Sequence, residues 1–391
     1  MKKLIKTVAL ILTLVLAISV LLTGCQQTPT GPKETTTAPE AKDKLPAGTK
    51  IGMTILVNDG LFATMAQYIQ YIADNIGFEL VLDVGAFSPE DQVASVENLI
   101  AAGCQGIVFC NFSEAVLPKI ASVCDEAEVY WAQYCRQVDD PEIVASLNNA
   151  KYYVGRCFEN NENVAVRVVK AFEDLNVKKT AIIGPATGDT TTDTVSAKYK
   201  ALCQEKGIEV YTEIRNAQEA ADCTAAAETI VSNFPDVEGI IVLSGSTGKL
   251  EGVFKGLENV NKLGKIKVGA LDASANIIED LRNGSVSCAN SGQFVDNMFT
   301  TMLVLNSVLG TPLKTDGKAT IECEYVAFYK AADAEFYYAH MENLGEKIFA
   351  YNLDEIRQMI KYFNPDFSYE KLQAIATAYS VEDVKTRHNV S

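Results

Sequence analysis

The sequence predicts an α/β fold made of two halves, each with a mainly parallel β-sheet. Its 391 residues exceed what one ordinary hydrophobic core accommodates, so two lobes are expected. Apolar runs of strand length alternate with amphipathic segments of helix length, and this alternation restarts at Lys179. Alternation of this kind is typical of parallel sheets covered by helices.

The stretch from Glu79 to Ala115 shows how the alternation is built. Two apolar runs, Glu79–Asp83 and Gly106–Cys110, enclose an amphipathic segment. That segment starts at residues 88–91, Ser-Pro-Glu-Asp, where the serine suits a helix cap, the proline suits the first turn and the acids suit the positive end. Gly103 suits the helix end. Strand, helix and strand within about thirty residues form a right-handed βαβ unit.

The other segments follow the same pattern in chain order. The further predicted strands are Lys50–Val57, Val129–Ala132, Lys151–Gly155, Lys179–Gly184, Ile208–Ile214, Gly239–Leu243, Lys265–Leu271, Val286–Ala289 and Thr320–Phe328. The further predicted helices are Leu61–Ile76, Glu114–Ala127, Asn163–Leu175, Thr192–Lys206, Ala217–Phe234, Thr247–Asn259, Ala275–Leu281, Val295–Leu309, Leu353–Tyr362 and Tyr369–Tyr379. The last two helices belong to a tyrosine-rich tail, which we interpret as a small helical extension packed on one lobe.

The first 24 residues have the features of a lipoprotein signal peptide. Three lysines precede a mostly apolar run, Val8–Leu22, which spans roughly 22 Å as a helix and is short of the ~30 Å of a bilayer core. A membrane anchor helix is the alternative. Leu22-Thr23-Gly24-Cys25 resembles the bacterial lipobox, which implies cleavage before Cys25 and a lipid on its sulfur.

The segment after Cys25 differs in composition from the rest of the chain. Residues 26–49 are polar and rich in Pro, Thr and Lys, so residues 25–49 are expected to form a lipidated, disordered tether. The whole chain has a formal charge of −16, which disfavours nucleic acid and anionic lipid as partners because both require basic patches.

Cysteine and histidine usage argues against a metal site. The nine cysteines after Cys25 form an odd set, and several stand in apolar runs, so we interpret them as buried free thiols. The chain has no Cys-x-x-Cys pair and only two histidines, His340 and His388. The sequence therefore predicts no metal and no cofactor.

One short motif invites an enzymatic interpretation. Ser246-Thr247-Gly248-Lys249 resembles part of a phosphate-binding loop, but Leu243 stands where the first glycine belongs and Leu250 replaces the Ser or Thr. The α/β body lacks histidine, so it offers no Ser/His/Asp or Cys/His set. We predict no catalytic residues, although a paired-carboxylate hydrolase stays open.

Several motifs between residues 51 and 293 carry a family resemblance. They are Ile51-Gly52 with Asn58…Phe62, Asp91-Gln92…Gly103…Gly106-Ile107-Val108, Ala181-Ile182-Ile183-Gly184, Gly239-Ile240-Ile241-Val242, Lys267–Asp272 and Leu281…Gly284…Gln293. On these motifs the chain resembles the type I periplasmic solute-binding proteins of the ribose and galactose class, over roughly residues 50–325. The resemblance implies two Rossmann-like lobes joined by a multi-strand hinge, with lobe 1 at 50–157 and 291–325, lobe 2 at 158–290 and an extension at 326–391.

The chain departs from the sugar pattern at positions that matter for ligand choice. The family often has Asp-Arg after the fourth strand, where this chain has Gln133-Tyr134. The Asn-Asp turn of the family is replaced by Ser244–Thr247, and an arginine of the second lobe is absent. These departures weaken any assignment to ribose or a similar pentose.

The candidate ligand-binding residues stand at the carboxyl ends of strands, where ligands bind in open parallel sheets. A polyol needs planar donors and acceptors together with an aromatic face. The predicted set is Asn58, Asp59, Phe62, Gln133, Tyr134, Arg156, Ser244, Asp272, Asn290 and Gln293. Five of them have a structural alternative: core packing for Phe62, a helix cap for Asp272, an ion pair with Glu159 for Arg156, and hinge structure for Asn290 and Gln293.

The resemblance implies a receptor rather than an enzyme. Such a protein would lie on the extracellular face of the membrane, held by the lipid on Cys25, close around a sugar and deliver it to the permease subunits of an ABC importer. The alternative is a sensor of the same fold that signals to a membrane kinase or chemoreceptor.

Overall fold

Two six-stranded sheets organise the protein in the computed structural model, which describes residues 43–58, 60–85 and 88–390. The strands are β1 (Lys50–Ile55), β2 (Glu79–Val84), β3 (Gly106–Phe109), β4 (Tyr130–Tyr134), β5 (Tyr153–Glu159), β6 (Lys179–Ile183), β7 (Glu209–Ile214), β8 (Gly239–Val242), β9 (Lys267–Leu271), β10 (Cys288–Ser291), β11 (Ala319–Cys323), β12 (Val326–Phe328), β13 (Glu342–Asn343) and β14 (Ile348–Phe349). The predicted signal peptide, the lipidation site Cys25, most of the tether and Asp59 lie outside the described residues.

Helices lie between nearly all the strands. They are α1 (Gly60–Ile76), α2 (Pro89–Ala101), α3 (Leu117–Ala127), α4 (Pro141–Asn149), α5 (Asn161–Asp174), α6 (Thr190–Lys206), α7 (Ala220–Asn233), α8 (Lys249–Asn259), α9 (Ile277–Arg282), α10 (Asp296–Val308), α11 (Ala331–His340), α12 (Leu353–Gln358), α13 (Tyr369–Ala378) and α14 (Val381–His388). Within the described ranges, none of them combines the length and the apolar character needed to cross a bilayer.

The two sheets share one topology. The first has the order β2-β1-β3-β4-β5-β11, with parallel pairing throughout. The second has the order β7-β6-β8-β9-β10-β12 and is parallel except for its edge strand β12. In each sheet the strand that comes first in the sequence, β1 or β6, lies between the second and the third. The order in which strands are added therefore reverses at that strand, and each half is doubly wound. The predicted pair of α/β halves with mainly parallel sheets is confirmed, and each sheet with its helices is called a lobe below.

The βαβ unit has the local structure that its sequence dictates. The backbone N–H of Asp91 donates to Ser88 Oγ at 3.0 Å, Pro89 opens α2, and Gly103 adopts a φ of +81° just after the helix. All four residues of β3 are buried, as expected for a central strand covered on both faces.

The first sheet and α10 pack so closely that position 106 has room only for glycine. A side chain at Gly106 would place its Cβ only 2.3 Å from Val304 Cγ1 of α10. Almost every residue of α10 is buried, and several of its polar side chains have partners inside the protein. Asn297 Nδ2, for example, donates to the backbone oxygen of Met65 at 3.0 Å.

Three segments of chain cross between the lobes. They are the turn from β5 to α5, the turn from β10 to α10 through Gly292, and the two residues between β11 and β12. The sequence predicts a single extended segment at 320–328, whereas the structure divides it between the two sheets. Val326–Phe328, which the sequence assigns to the extension, therefore pairs with β10 in the second lobe.

The C-terminal extension contacts both lobes, although the sequence predicts packing on one. In the first lobe, Tyr369 Oη donates to the backbone oxygen of Thr320 at 2.7 Å. In the second lobe, Glu335 pairs with Arg282 at 2.6 Å. Tyr379 Oη donates to the oxygen of Gly292 at the middle crossing, at 3.1 Å. The extension also contains the β13–β14 hairpin, so it is not purely helical.

We predict that Glu355 makes the stability of the extension depend on pH. Burial alone would raise the pKa of Glu355, but hydrogen bonds from His388, the backbone of Asn352 and Arg387 outweigh it and hold the pKa below 4.5. The ionised form thus stabilises the folded state above the unfolded pKa, and this contribution is lost as the pH falls below about 4.5. Glu355→Gln should cost about 1–2 kcal/mol at pH 7.

Urea unfolding of the wild type and Glu355→Gln at several pH values measures this effect. The difference in free energy of unfolding between the two proteins should shrink as the pH falls from 7 to 3. A difference that stays constant over that range would show that the charge of Glu355 does not contribute.

Candidate ligand-binding cleft

A cleft of about 580 Å³ lies between the lobes, at the carboxyl ends of their strands. This is the position that doubly wound sheets provide for ligands. Its lining residues are Val57, Gly60, Leu61, Phe62, Phe112, Ser113, Cys135, Arg136, Glu159, Pro185, Ala186, Thr187, Gly188, Asp189, Thr191, Thr192, Gln218, Ser244, Ser246, Thr247, Lys249, Leu271, Asp272, Gln293 and Tyr325. Both lobes and all three crossings contribute to the wall.

The first lobe supplies an aromatic wall. Phe62 stands in the first turn of α1 and is half-buried, while Phe112 follows β3 with 55% of its surface exposed. Large exposed aromatic rings are costly in water, so their position in a cleft favours contact with a ligand.

The second lobe and the middle crossing together supply a hydrogen-bonded polar pair. Gln293 Nε2 donates to Asp272 Oδ1 at 2.8 Å, and the backbone N–H of Ser246 donates to Asp272 Oδ2 at 3.3 Å. Asp272 follows β9 with a φ of +69°, which turns its carboxylate towards these two donors. Burial raises the pKa of Asp272, and the bonds from Gln293 and Ser246 partly oppose that rise.

Arg136 reaches across the cleft from the first lobe to the second. Its Nη1 donates to Thr191 Oγ1 at 3.3 Å and lies 3.5 Å from Asp189 Oδ2, at the start of α6. Its Nε is buried and has no hydrogen-bond acceptor in the part of the chain that the structure describes. The guanidinium of Arg136 therefore joins the two lobes, and its Nε–H is left without an acceptor among the described residues.

The segment that contacts Arg136, residues 185–193, is hydrogen-bonded to a second arginine, Arg215. Arg215 Nε donates to the backbone oxygen of Pro185 at 2.6 Å, and its Nη2 bonds Asp193 at 2.8 Å. Asp189 itself accepts from the backbone N–H of Thr192 at 2.9 Å as the cap of α6. Arg215 thus positions the loop that faces Arg136, although it does not line the cleft.

Four of the predicted ligand-binding residues lie on the cleft wall: Phe62, Ser244, Asp272 and Gln293. Asn58 is exposed in the turn after β1, next to the lining residue Val57. Ligand contact by any of these residues stays a prediction.

The other four predicted residues lie away from the wall. Strand β4 continues to Tyr134, two residues beyond its predicted end, so Gln133 and Tyr134 belong to the strand. Gln133 Nε2 donates to Asn111 Oδ1 at 2.7 Å, and Tyr134 Oη donates to the oxygen of Thr54 at 2.6 Å. Both side chains are fully buried, and the strand end brings Cys135 and Arg136 to the cleft instead.

Arg156 and Asn290 have internal partners as well. Arg156 Nη1 donates to the backbone oxygen of Val138 at 3.2 Å, and its guanidinium lies over the Phe158 ring. Asn290 is fully buried, and its Nδ2 donates to the backbone oxygen of Ala270 at 3.1 Å. This side-chain hydrogen bond links β10 to β9. Both side chains support the strands behind the cleft.

Sequence reasoning missed several polar residues of the wall, among them Arg136, Glu159, Asp189, Thr191 and Lys249. Arg136 and Glu159 had a usable signal, because each stands at or just after the end of a strand in the first sheet. Asp189 and Thr191 had a weaker sequence signal, because they stand at the start of a helix that follows a glycine.

Two doubly wound lobes, three crossings and a cleft between them form a two-lobe binding-protein fold. The sequence profile of the periplasmic binding protein domain matches residues 51–309, and the chain belongs to that family. No curated protein matches the chain.

Three solved structures with the same fold are solute-binding proteins of ABC transporters. One from Agrobacterium vitis, bound with alpha-D-tagatopyranose, is 16% identical with a TM-score of 0.62, and the match covers 77% of this chain and 99% of that one. One from Actinobacillus succinogenes, with D-allose, is 16% identical with a TM-score of 0.65, covering 73% and 99%. One from Bacillus halodurans, with myo-inositol, is 17% identical with a TM-score of 0.62, covering 76% and 99%.

Proposed function

We propose that the protein is a receptor that binds a small neutral polyol, most simply a sugar, and delivers it unchanged to an ABC importer. The observation that carries the proposal is the pairing of an aromatic wall, Phe62 and Phe112, with the Asp272–Gln293 pair, which comes from the second lobe and the middle crossing. Hydroxyl groups bond to planar carboxylate and amide groups, while the C–H face of a sugar packs on an aromatic ring.

The charges of the cleft favour a neutral solute. Arg136 and Lys249 are the basic residues of the wall, and Glu159, Asp189 and Asp272 are its acidic residues. Arg136 lies beside Asp189, so neither sign dominates the wall. The solved structures of the same fold support the polyol class, because their bound tagatose, allose and inositol are all polyhydroxylated.

Closure of the lobes completes the site. The contacts of Arg136 with Thr191 and Asp189 join one lobe to the other across the cleft. A solute that meets both lobes binds the closed form better than an open one, and this difference in affinity drives closure. The closed form is then the shape that the permease subunits recognise.

The location of the receptor follows from its N-terminal sequence. Cleavage before Cys25 and a lipid on its sulfur would hold the protein on the extracellular face of the membrane, with residues 26–49 as a tether. Membrane contact then runs through the lipid, and the solute and the permease are the remaining partners.

A thermal-shift screen of the purified full chain tests this function. We expect a sugar or polyol to raise the melting temperature by a few degrees, since ligand at about 100 times its Kd adds about 2.7 kcal/mol to the stability. Nucleosides and amino acids form the comparison classes.

Two results would contradict the proposal. If no sugar or polyol moves the transition, or if only an amino acid or nucleoside does, the ligand class is wrong. Recovery of the bound solute by mass spectrometry should return it unchanged, and conversion into a product would show an enzyme instead.

A further inference from the structure

Three buried cysteines and two buried carboxyl groups converge beneath the cleft. Cys157 and Glu159 end β5, Asp296 starts α10, Cys323 ends β11, and Cys135 directly follows β4. Of these five side chains, Cys135 and Glu159 also line the cleft. The group therefore lies in the first lobe, at the elements that lead into the three crossings.

The ligand-type atoms of this group lie within a few ångströms of one another. Cys157 Sγ and Cys323 Sγ are 3.3 Å apart. These two sulfurs and a carboxylate oxygen of Asp296 all lie within 4.8 Å of each other. The same limit holds for Cys135 Sγ and carboxylate oxygens of Glu159 and Asp296, so Asp296 is common to both sets.

Three oxygens of the two carboxyl groups have no well-formed hydrogen bond from the part of the chain that the structure describes. Asp296 is fully buried and Glu159 is 2% exposed, and no hydrogen bond of good geometry reaches either oxygen of Asp296 or Oε1 of Glu159 from the described residues. Their polar neighbours are each other, the Cys323 thiol and the backbone of Cys135. Two neighbouring acids are costly in the core unless a cation or a shared proton offsets their charge. Arg136, on the adjoining wall, directs Nη1 to Thr191 and Asp189 instead.

We propose that Cys157, Cys323 and Asp296 bind a thiophilic divalent cation of the zinc class, with Cys135 or Glu159 as the fourth ligand. Thiolate and carboxylate groups are both zinc ligands, and a tetrahedral ion with Zn–S bonds near 2.3 Å holds two sulfurs about 3.8 Å apart. The pair Cys157–Cys323 needs to widen by only about half an ångström to reach that geometry.

The site has a structural consequence for the hinge. Cys157, Asp296 and Cys323 lie on three first-lobe elements, each next to a different crossing, so one ion holds together the points at which the crossings leave the first lobe. The ion also places positive charge next to the buried carboxyls and below the floor of the cleft. It therefore stabilises the hinge without occupying the solute position.

Cobalt titration of the reduced full chain, stripped of metal by a chelator, tests the site without any solute. We expect one equivalent of Co²⁺ to bind with a sulfur-to-cobalt charge-transfer band in the near ultraviolet, and Zn²⁺ to displace it. Cys323→Ala and Asp296→Asn should weaken binding by more than the roughly 10–100-fold that loss of an outer-shell partner costs. Cys157→Ala replaces Asp296→Asn if the latter does not fold, since alanine fits a space built for a small thiol.

Cys203→Ala is the matched control. Cys203 is a fully buried thiol on α6 of the second lobe, outside the group, so its removal should leave cobalt binding unchanged. Absence of a stoichiometric sulfur-ligated ion, or equal loss in the control, would overturn the proposal. So would a Cys157–Cys323 disulfide in protein isolated from cells, or an infrared band showing that Asp296 and Glu159 share a proton in the presence of Zn²⁺.

Discussion

Replacement of Asp272 by alanine is expected to weaken solute binding about 30-fold or more, which corresponds to about 2 kcal/mol. The carboxylate of Asp272 is the acceptor for Gln293 Nε2 and for the backbone N–H of Ser246 on the cleft wall. Without it, the site loses a charged acceptor for solute hydroxyls and leaves two donors unpaired. Isothermal titration with the solute that gives the largest thermal shift measures the change.

Two further variants separate binding from folding. Asp272→Asn keeps one acceptor oxygen for Gln293, so this variant should fold and bind with intermediate affinity. Asp236→Ala removes an exposed carboxylate of the second lobe that pairs with Lys179, and it should leave affinity unchanged. Wild-type affinity in folded Asp272→Ala would remove Asp272 from the binding site.

The fold was largely predictable because its signals are local. Apolar runs mark the central strands, and cap residues such as Ser88 mark helix starts in the sequence and in the structure alike. The helix Pro141–Asn149 was missed although Asp140 caps it, with Oδ1 accepting from Glu142 N–H at 2.8 Å. It is a short, largely exposed helix, and only Leu147 of its residues is buried, so its hydrophobic periodicity is weak.

The cleft was harder to predict because strand ends decide which side chains reach it. Extension of β4 by two residues moves Gln133 and Tyr134 into the core and brings Arg136 to the wall. The added strand residues are a glutamine and a tyrosine, whose partners Asn111 and Thr54 lie on other strands or loops. No pattern within the segment itself reports those distant partners.

The cluster of Cys135, Cys157, Glu159, Asp296 and Cys323 was even harder to predict from local sequence. Sequence reasoning predicted no metal because it tested for closely spaced cysteines and histidines. Cys157 and Cys323 are 166 positions apart, and only the pairing of β5 with β11 brings them together. The ligand set proposed above therefore depends on topology, which local spacing does not contain.

Replacement of Tyr351 by alanine is expected to lower the free energy of unfolding of the protein by about 3–5 kcal/mol. Tyr351 is 1% exposed, its ring lies edge-on to Phe299 of α10, and the guanidinium of Arg387 lies 4.4 Å from the ring centre. Its backbone oxygen accepts from Tyr68 Oη of the first lobe at 2.9 Å. The side chain thus fills the junction between the extension and the first lobe, and its loss leaves a cavity there.

Urea unfolding followed by both circular dichroism and tyrosine fluorescence measures the effect. Tyr329→Ala is the matched control, because Tyr329 is 46% exposed and its removal should change stability by no more than about 0.5 kcal/mol. If the extension is part of one cooperative unit with the lobes, a single transition shifts in Tyr351→Ala for both probes. A main transition at the wild-type position, preceded by a separate early one, would show instead that the extension unfolds by itself.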